Sequence, residues 1–326
     1  MQKKEEKVYS ALLVIIYLAF ISLGLPDTLL GSAWPQMHIE LNASLSSAGI
    51  ITMIISLGTV ISSLFSDRLN IKLGTGKVTA ISVLMTAVAL LGFSLSHSFI
   101  ILCVLAVPYG LGAGAVDAAL NNYVALHYSS KHMSWLHCFW GVGASIGPYI
   151  THGLGWRGGY SVISVLQFTL TAALFITLPL WKKVENSENN VSNGNNERTQ
   201  EEPQERKAKS LSEVLHIKGV IYILFAFFCY SAVEQTTTLW CASYLVLNRS
   251  IDSNTAAKFA ALFYIGITFG RFLCGFIADK LGDKNMIRLG IVIIVAGIVM
   301  LFMPIPGSAI ALAGLITIGL GCAPIY

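Results

Sequence analysis

Long apolar blocks separated by short polar interruptions dominate the chain. Ten blocks stand out, at roughly 9–36, 46–65, 77–96, 99–126, 134–153, 159–181, 217–247, 256–279, 286–304 and 308–326. Each is near or above the about 20 residues that a helix needs to cross a bilayer. The pattern therefore predicts ten membrane-spanning helices and an all-α, polytopic membrane protein. The first block follows Lys3, Lys4 and Lys7 and so resembles a signal peptide. No small-residue cleavage site follows it and nine more spans do, so it reads as a retained helix.

One stretch breaks the pattern. From Lys182 to Ser210 the chain is polar, charged and rich in Asn and Glu, and cannot bury enough apolar surface to fold. The expected organisation is an N-terminal six-helix bundle over 1–181, a disordered cytoplasmic linker over 182–216, and a C-terminal bundle over 217–326. That second bundle holds four helices and stops within the tenth span, so two further helices are expected to be missing from it. The two parts look like copies. Ser66-Asp67-Arg68-Leu69 closes the second span and Ala278-Asp279-Lys280-Leu281 the eighth. Gly110-Leu111-Gly112 in the fourth span returns as Gly319-Leu320-Gly321 in the tenth. Parallel six-helix repeats around a midplane cavity are a transporter architecture. Gly110, Gly114 and Ala118, and Gly143 and Gly147, recur at every fourth residue, a spacing that lets helices approach closely in lipid.

Composition and charge sharpen this picture. Charged residues make up 12% of the chain and hydrophobic ones 55%, against about 25% charged in soluble domains; mean hydropathy is +0.68. With the N-terminus inside, seventeen of the 21 Lys and Arg residues fall in inner segments. Only Arg157, Arg249 and Lys258 fall outside, and Arg271 lies within a span. This bias predicts a cytoplasmic N-terminus in a multi-pass protein of the cell membrane. The net charge of +4 reflects the inner-face excess and does not point to nucleic acid. The six cysteines are scattered through apolar spans, and none has metal-ligand spacing. No phosphate-cradling glycine loop or nucleophile elbow appears, so neither an enzyme nor a cofactor is expected.

Gly270-Arg271 followed by Gly275-Phe-Ile-Ala-Asp279-Lys280-Leu281-Gly282 resembles the loop motif of the major facilitator superfamily. Ser66-Asp67-Arg68 resembles its first-half copy, with Ser63 where glycine is usual. Gly112-Ala-Gly114-Ala-Val-Asp117-Ala-Ala-Leu-Asn121 is similar to the fourth helix of the fucose–galactose–hexose (fucose/proton symporter-like) subfamily. The stretch from Leu136 to Pro148 is similar to its fifth helix, and Tyr230-x-x-x-Glu234 with Trp240 and Tyr244 to its seventh. Asp27 stands where that group tends to have an acid in helix 1. The resemblance implies the major facilitator fold and uptake of a hexose or deoxyhexose with protons or sodium. It also implies that Asp67, Arg68, Arg271, Gly275, Asp279 and Lys280 serve conformational change.

The candidate site residues are those that are costly to keep in hydrocarbon. A carboxylate at mid-bilayer costs on the order of 3 kcal/mol and persists where it faces a cavity or a partner. Asp27, Asp117 and Glu234 fall well inside spans. At 1.5 Å per residue, Asp117 lies about 15 Å from the inner end of its helix and Asp27 about 14 Å from the outer end of its own. That spacing admits separate gates rather than a pair. An acid that meets alternate sides of the membrane can couple proton entry to solute movement. The other readings are a permanent hydrogen bond for Asp117 and a turn cap after Pro26 for Asp27. Asn121 shares a helical face with Asp117. Glu234, Gln235 and Thr238 form a polar patch suited to vicinal hydroxyls, with Trp240 and Tyr244 as an aromatic face or as membrane-boundary residues. His137 is a solute ligand, a proton relay or a structural histidine. Arg271 is expected to brace the helix-8 loop.

These features predict a secondary active carrier, acting as a monomer in lipid. Its partners would be a small polar solute, sugar first, and a proton or sodium ion. A proton-driven efflux antiporter for amphipathic compounds and a non-transporting solute sensor are the rival expectations.

Overall fold

The computed structural model describes residues 2–128, 130–195, 216–304 and 308–325. Among these the regular structure is entirely helical: α1 Gln2–Asp27, α2 Leu29–Glu40, α3 Ser47–Leu73, α4 Thr75–Leu95, α5 Phe99–His127, α6 Ser130–Asn195, α7 Val220–Arg249, α8 Ser253–Leu281, α9 Asp283–Phe302 and α10 Ala309–Cys322. Eight stretches are long and apolar enough to cross a membrane, and Ala309–Cys322 is a shorter apolar helix. The 47-residue stretch Trp135–Trp181 is two helices joined at Gly155, whose φ of +69° suits glycine. Each of the ten expected spans thus contains a helix. The second leg of α6 continues to Asn195, past the expected bundle end at 181. The rest of the expected linker, 196–215, lies outside the described residues, as do the side chains of 182–195.

The first span is broken where Pro26 predicts. Proline has no N–H for the carbonyl four residues back. That carbonyl, on Ser22, instead accepts Gln167 Nε2 at 2.9 Å. Gln167 Oε1 accepts Thr86 Oγ1 at 2.7 Å, so one buried amide ties α1, α4 and the second leg of α6 together. The chain then turns at Thr28 and restarts as α2.

Two large buried apolar cores form among the described residues, beside a small cluster of Val78, Ala115 and Ala119. One draws on α1 to α6 with Leu239 of α7. The other draws on α7 to α10 with Ala144 of α6. Glycines set the helix spacing. A Cβ on Gly143 would sit 2.1 Å from the Ile21 carbonyl oxygen, and one on Gly24 2.1 Å from that of Trp140, so α1 and the first leg of α6 touch backbone to backbone. The internal repeat reappears as packing. Gly110 of α5 meets Ile55 of α3, and Gly58 of α3 meets Gly110 and Leu111 of α5. Gly319 of α10 meets Phe263 of α8, and Gly266 of α8 meets Ile316 and Gly319 of α10.

Candidate functional site

The three acids that stood out in the spans line one cavity of about 410 Å³ between α1, α2, α3, α4, α5, α6, α7 and α8. The volume falls in the range of small-molecule sites, about 300–1,000 Å³. Asp27 and Asp117 are exposed, although Pro26, Thr28 and Val116 beside them are buried. Their polar ends therefore open into the cavity from helices that are otherwise packed. Both acids line this one chamber.

Asp27 sits at the break between α1 and α2, where a side chain can leave the helix axis. Tyr109 Oη donates to its Oδ1 at 3.0 Å and Trp140 Nε1 to its Oδ2 at 2.9 Å. Thr28, not Asp27, is the N-cap of α2, which removes the capping alternative. Asp117 accepts Asn121 Nδ2 on Oδ1 at 3.1 Å from one turn along α5. Asn121 thus orients the acid and does not line the cavity itself. Glu234 and Gln235 line the cavity with Thr238.

Trp240 does not reach the cavity; it is half-buried against the apolar core. Six residues past Glu234, it is turned about 240° around α7, whereas Thr238 is about 40° away. Tyr244 is likewise spent elsewhere, donating to the Leu301 carbonyl at 3.1 Å. The aromatic walls come instead from Phe93, Tyr109, Trp140, Tyr160 and Tyr264.

A smaller cavity, about 110 Å³, adjoins the first and is lined by Phe20, Asp117, His137, Trp140, Glu234 and Arg271. Asp117, Trp140 and Glu234 line both and form the wall between them. Phe20 precedes Asp27 along α1, and Arg271 follows Tyr264 along the oppositely running α8. The smaller cavity therefore lies toward the end of the molecule that holds the N-terminus. Arg271 donates from Nη1 to the His137 carbonyl at 3.3 Å, and its guanidinium lies 5.5 Å from the centre of the Trp140 ring. It lines this smaller chamber. Of the remaining motif residues, Asp67 and Arg68 are exposed near the end of α3. The surroundings of Gly275 and the side chains of Asp279 and Lys280 lie outside the described residues.

The opposite end is tied shut by polar contacts. Gln36 Nε2 donates to Asn254 Oδ1, and His152 Nδ1–H donates to the Asn254 carbonyl at 2.7 Å. These contacts join α2 and α6 to the start of α8. Alongside, Arg157 pairs with Glu40 at 2.9 Å and donates to the carbonyls of Ser94 and Ser96 at 2.9 and 2.7 Å.

Apolar spans around a solute-sized polar chamber, with packing that repeats between the two parts of the chain, define a multi-pass membrane protein. The chain belongs to the Major Facilitator Superfamily, whose profile matches residues 16–326. It is 24% identical over 285 residues to Bypass of stop codon protein 6 of Saccharomyces cerevisiae, covering 82% of this chain and 56% of that protein. The chain thus spans little more than half the length of that relative. It is 22% identical to the glucose/mannose transporter GlcP of Bacillus subtilis, over 95% of this chain and 76% of that one. It is also 24% identical to the cis,cis-muconate transport protein of Acinetobacter baylyi, over 84% and 67%. Among solved structures, the xylose transporter XylE from E. coli, in a partially occluded inward-open conformation, superposes with a TM-score of 0.74. The identity is 11%, over 97% of this chain and 84% of that chain. The nucleoside transporter NupG gives 0.67 at 15% identity, over 98% and 79%.

Proposed function

We propose that this protein is a proton-coupled carrier that takes up a small polar solute of the sugar type by alternating access. One observation carries the reading: Asp27, Asp117 and Glu234 meet in a single chamber with aromatic walls. Carboxylates that accept from and release to water can carry protons. Vicinal hydroxyls find acceptors on the acids and an amide on Gln235, and sugar C–H faces stack on tyrosine and tryptophan. A glucose/mannose transporter among the relatives supports the same solute class. In this reading 1–181 and 217–326 are the two moving bundles, joined by 182–216. The carrier works as a monomer in the cell membrane with its N-terminus in the cytoplasm. The conformational motif around Asp67, Arg68, Asp279 and Lys280 governs the inner face.

The test is reconstitution of the full-length protein in vesicles with an imposed proton gradient. Labelled glucose should accumulate when the outside is acidified, and a protonophore should abolish the accumulation. Glucose entry that is indifferent to the proton gradient, but follows a sodium gradient, would replace the coupling ion. Absence of flux for every hexose offered would reject the reading.

A further inference from the structure

The charges around the main chamber are one-sided. Three carboxylates line it, and its other polar side chains are neutral: hydroxyls, the Gln235 amide and the Trp140 indole. Among the described residues no Lys, Arg or His contributes to its wall. Arg271 lies in the adjoining smaller cavity, where it donates to the His137 carbonyl and faces the Trp140 ring. A carboxylate-bearing solute in the main chamber would meet three acids and no cation on its wall, Arg271 lying on the far side of Asp117 and Glu234. Like charges brought together in a low-dielectric site repel strongly. Were the acids to carry protons, the solute's carboxylate would still be desolvated with no cation to receive it. An ammonium group fares oppositely, with acids to pair with and aromatic faces that attract cations.

We infer that the main chamber selects by charge, accepting neutral sugars and their amine-bearing analogues and rejecting sugar acids and other carboxylates. The inference rests on the sugar-carrier reading above and narrows it. It also sets this chain apart from two relatives at 24% and 20% identity whose names describe anion carriers, a cis,cis-muconate transport protein and a hexuronate transporter.

The experiment compares three solutes that share one ring: glucose, glucosamine and glucuronate, with cis,cis-muconate as a further carboxylate. Binding and uptake are measured on the full-length protein in vesicles. Glucose and glucosamine should bind within a few-fold of each other, and glucuronate at least about tenfold more weakly than glucose, a gap of about 1.4 kcal/mol. Gln235 is exposed to the chamber, so Gln235→Lys should supply the missing cation and narrow the glucuronate gap, whereas Gln235→Glu should not. Glucuronate or muconate competing as well as glucose would overturn charge selection while leaving a sugar carrier in place. Uptake of an amine probe such as tetraethylammonium without any hexose uptake would reject the sugar reading and uphold charge selection. Uptake of muconate alone, or of none of these probes, would overturn both.

Discussion

Asp117 can stand in the glycine- and alanine-rich middle of α5 because most of its neighbours pack against other helices while its own side chain opens into the chamber. If it carries the coupled proton, Asp117→Asn should bind solute but lose the proton dependence of affinity. Coupling of this kind is typically about 5–150-fold. Equilibrium exchange of labelled solute across vesicles at several pH values checks this; an unchanged pH dependence would put the proton elsewhere. Asp27 tests a different property. Its two donors come from α5 and α6, and a hydrogen bond to a charged group is worth about 1.5–3 kcal/mol. Trp140→Phe should therefore lower thermal stability by an amount in that range and weaken solute binding, because the ring also walls the chamber. Tyr109→Phe keeps its ring in place and should cost stability more than binding. The three acids were legible in the sequence because an ionisable residue in an apolar span has no cheap alternative environment. The aromatic walls were not legible. Tyr109, Tyr160 and Tyr264 are ordinary span residues until packing fixes which face each helix turns inward. Trp240 misled for the same reason, since an aromatic near a polar patch in sequence can lie on another side of the helix.

At the scale of the element, backbone contact decides what is tolerated. Gly143 and Gly153 lie in the same leg of α6, but a Cβ on Gly143 would meet the Ile21 carbonyl at 2.1 Å, whereas one on Gly153 would meet nothing within 4 Å. Gly143→Ala should destabilise by about 1–3 kcal/mol, the usual cost of overpacking, and Gly153→Ala should be near neutral. Thermal unfolding of the two purified variants tells them apart. The sequence signalled Gly143 through its spacing from Gly147, and the structure supplies the partner, α1. The Gln167 bracket had no such signal. A lone glutamine in an apolar span shows nothing until Pro26 frees the Ser22 carbonyl to which its Nε2–H donates. Outside the spans, Asp252 caps α8 by accepting Thr255 N–H at 3.0 Å. The Thr255 hydrogen bonds hold its carboxyl below the usual carboxylate range. A lowered acid contributes stability above its unfolded value, near pH 4, and loses it as the pH falls through the lowered value. Asn also caps helices but does not titrate in this range. The stability advantage of the parent over Asp252→Asn should accordingly shrink below about pH 4.

The whole molecule presents two unequal ends. Toward the N-terminus lies the smaller chamber with His137 and Arg271. Away from it, Gln36, His152 and Asn254 join α2 and α6 to α8 across the two cores. The glycine contacts between α3 and α5, and between α8 and α10, lie within one core or the other. They can persist while the halves rotate as rigid bodies. The Asn254 contacts run between the halves, so a carrier that exposes its chamber alternately must break them each cycle. This predicts that covalent closure at that point stops transport without unfolding either half. Gln36→Cys with Asn254→Cys, bridged by a reducible bifunctional thiol linker, should lose solute uptake and regain it on reduction. Each single cysteine variant treated alike should stay active, which controls for reaction at the six native cysteines. Binding from the N-terminal side should survive in the bridged protein, because the chamber itself is untouched. Full transport with the bridge in place would mean that these contacts never open, and that solute takes a path other than one between the two halves.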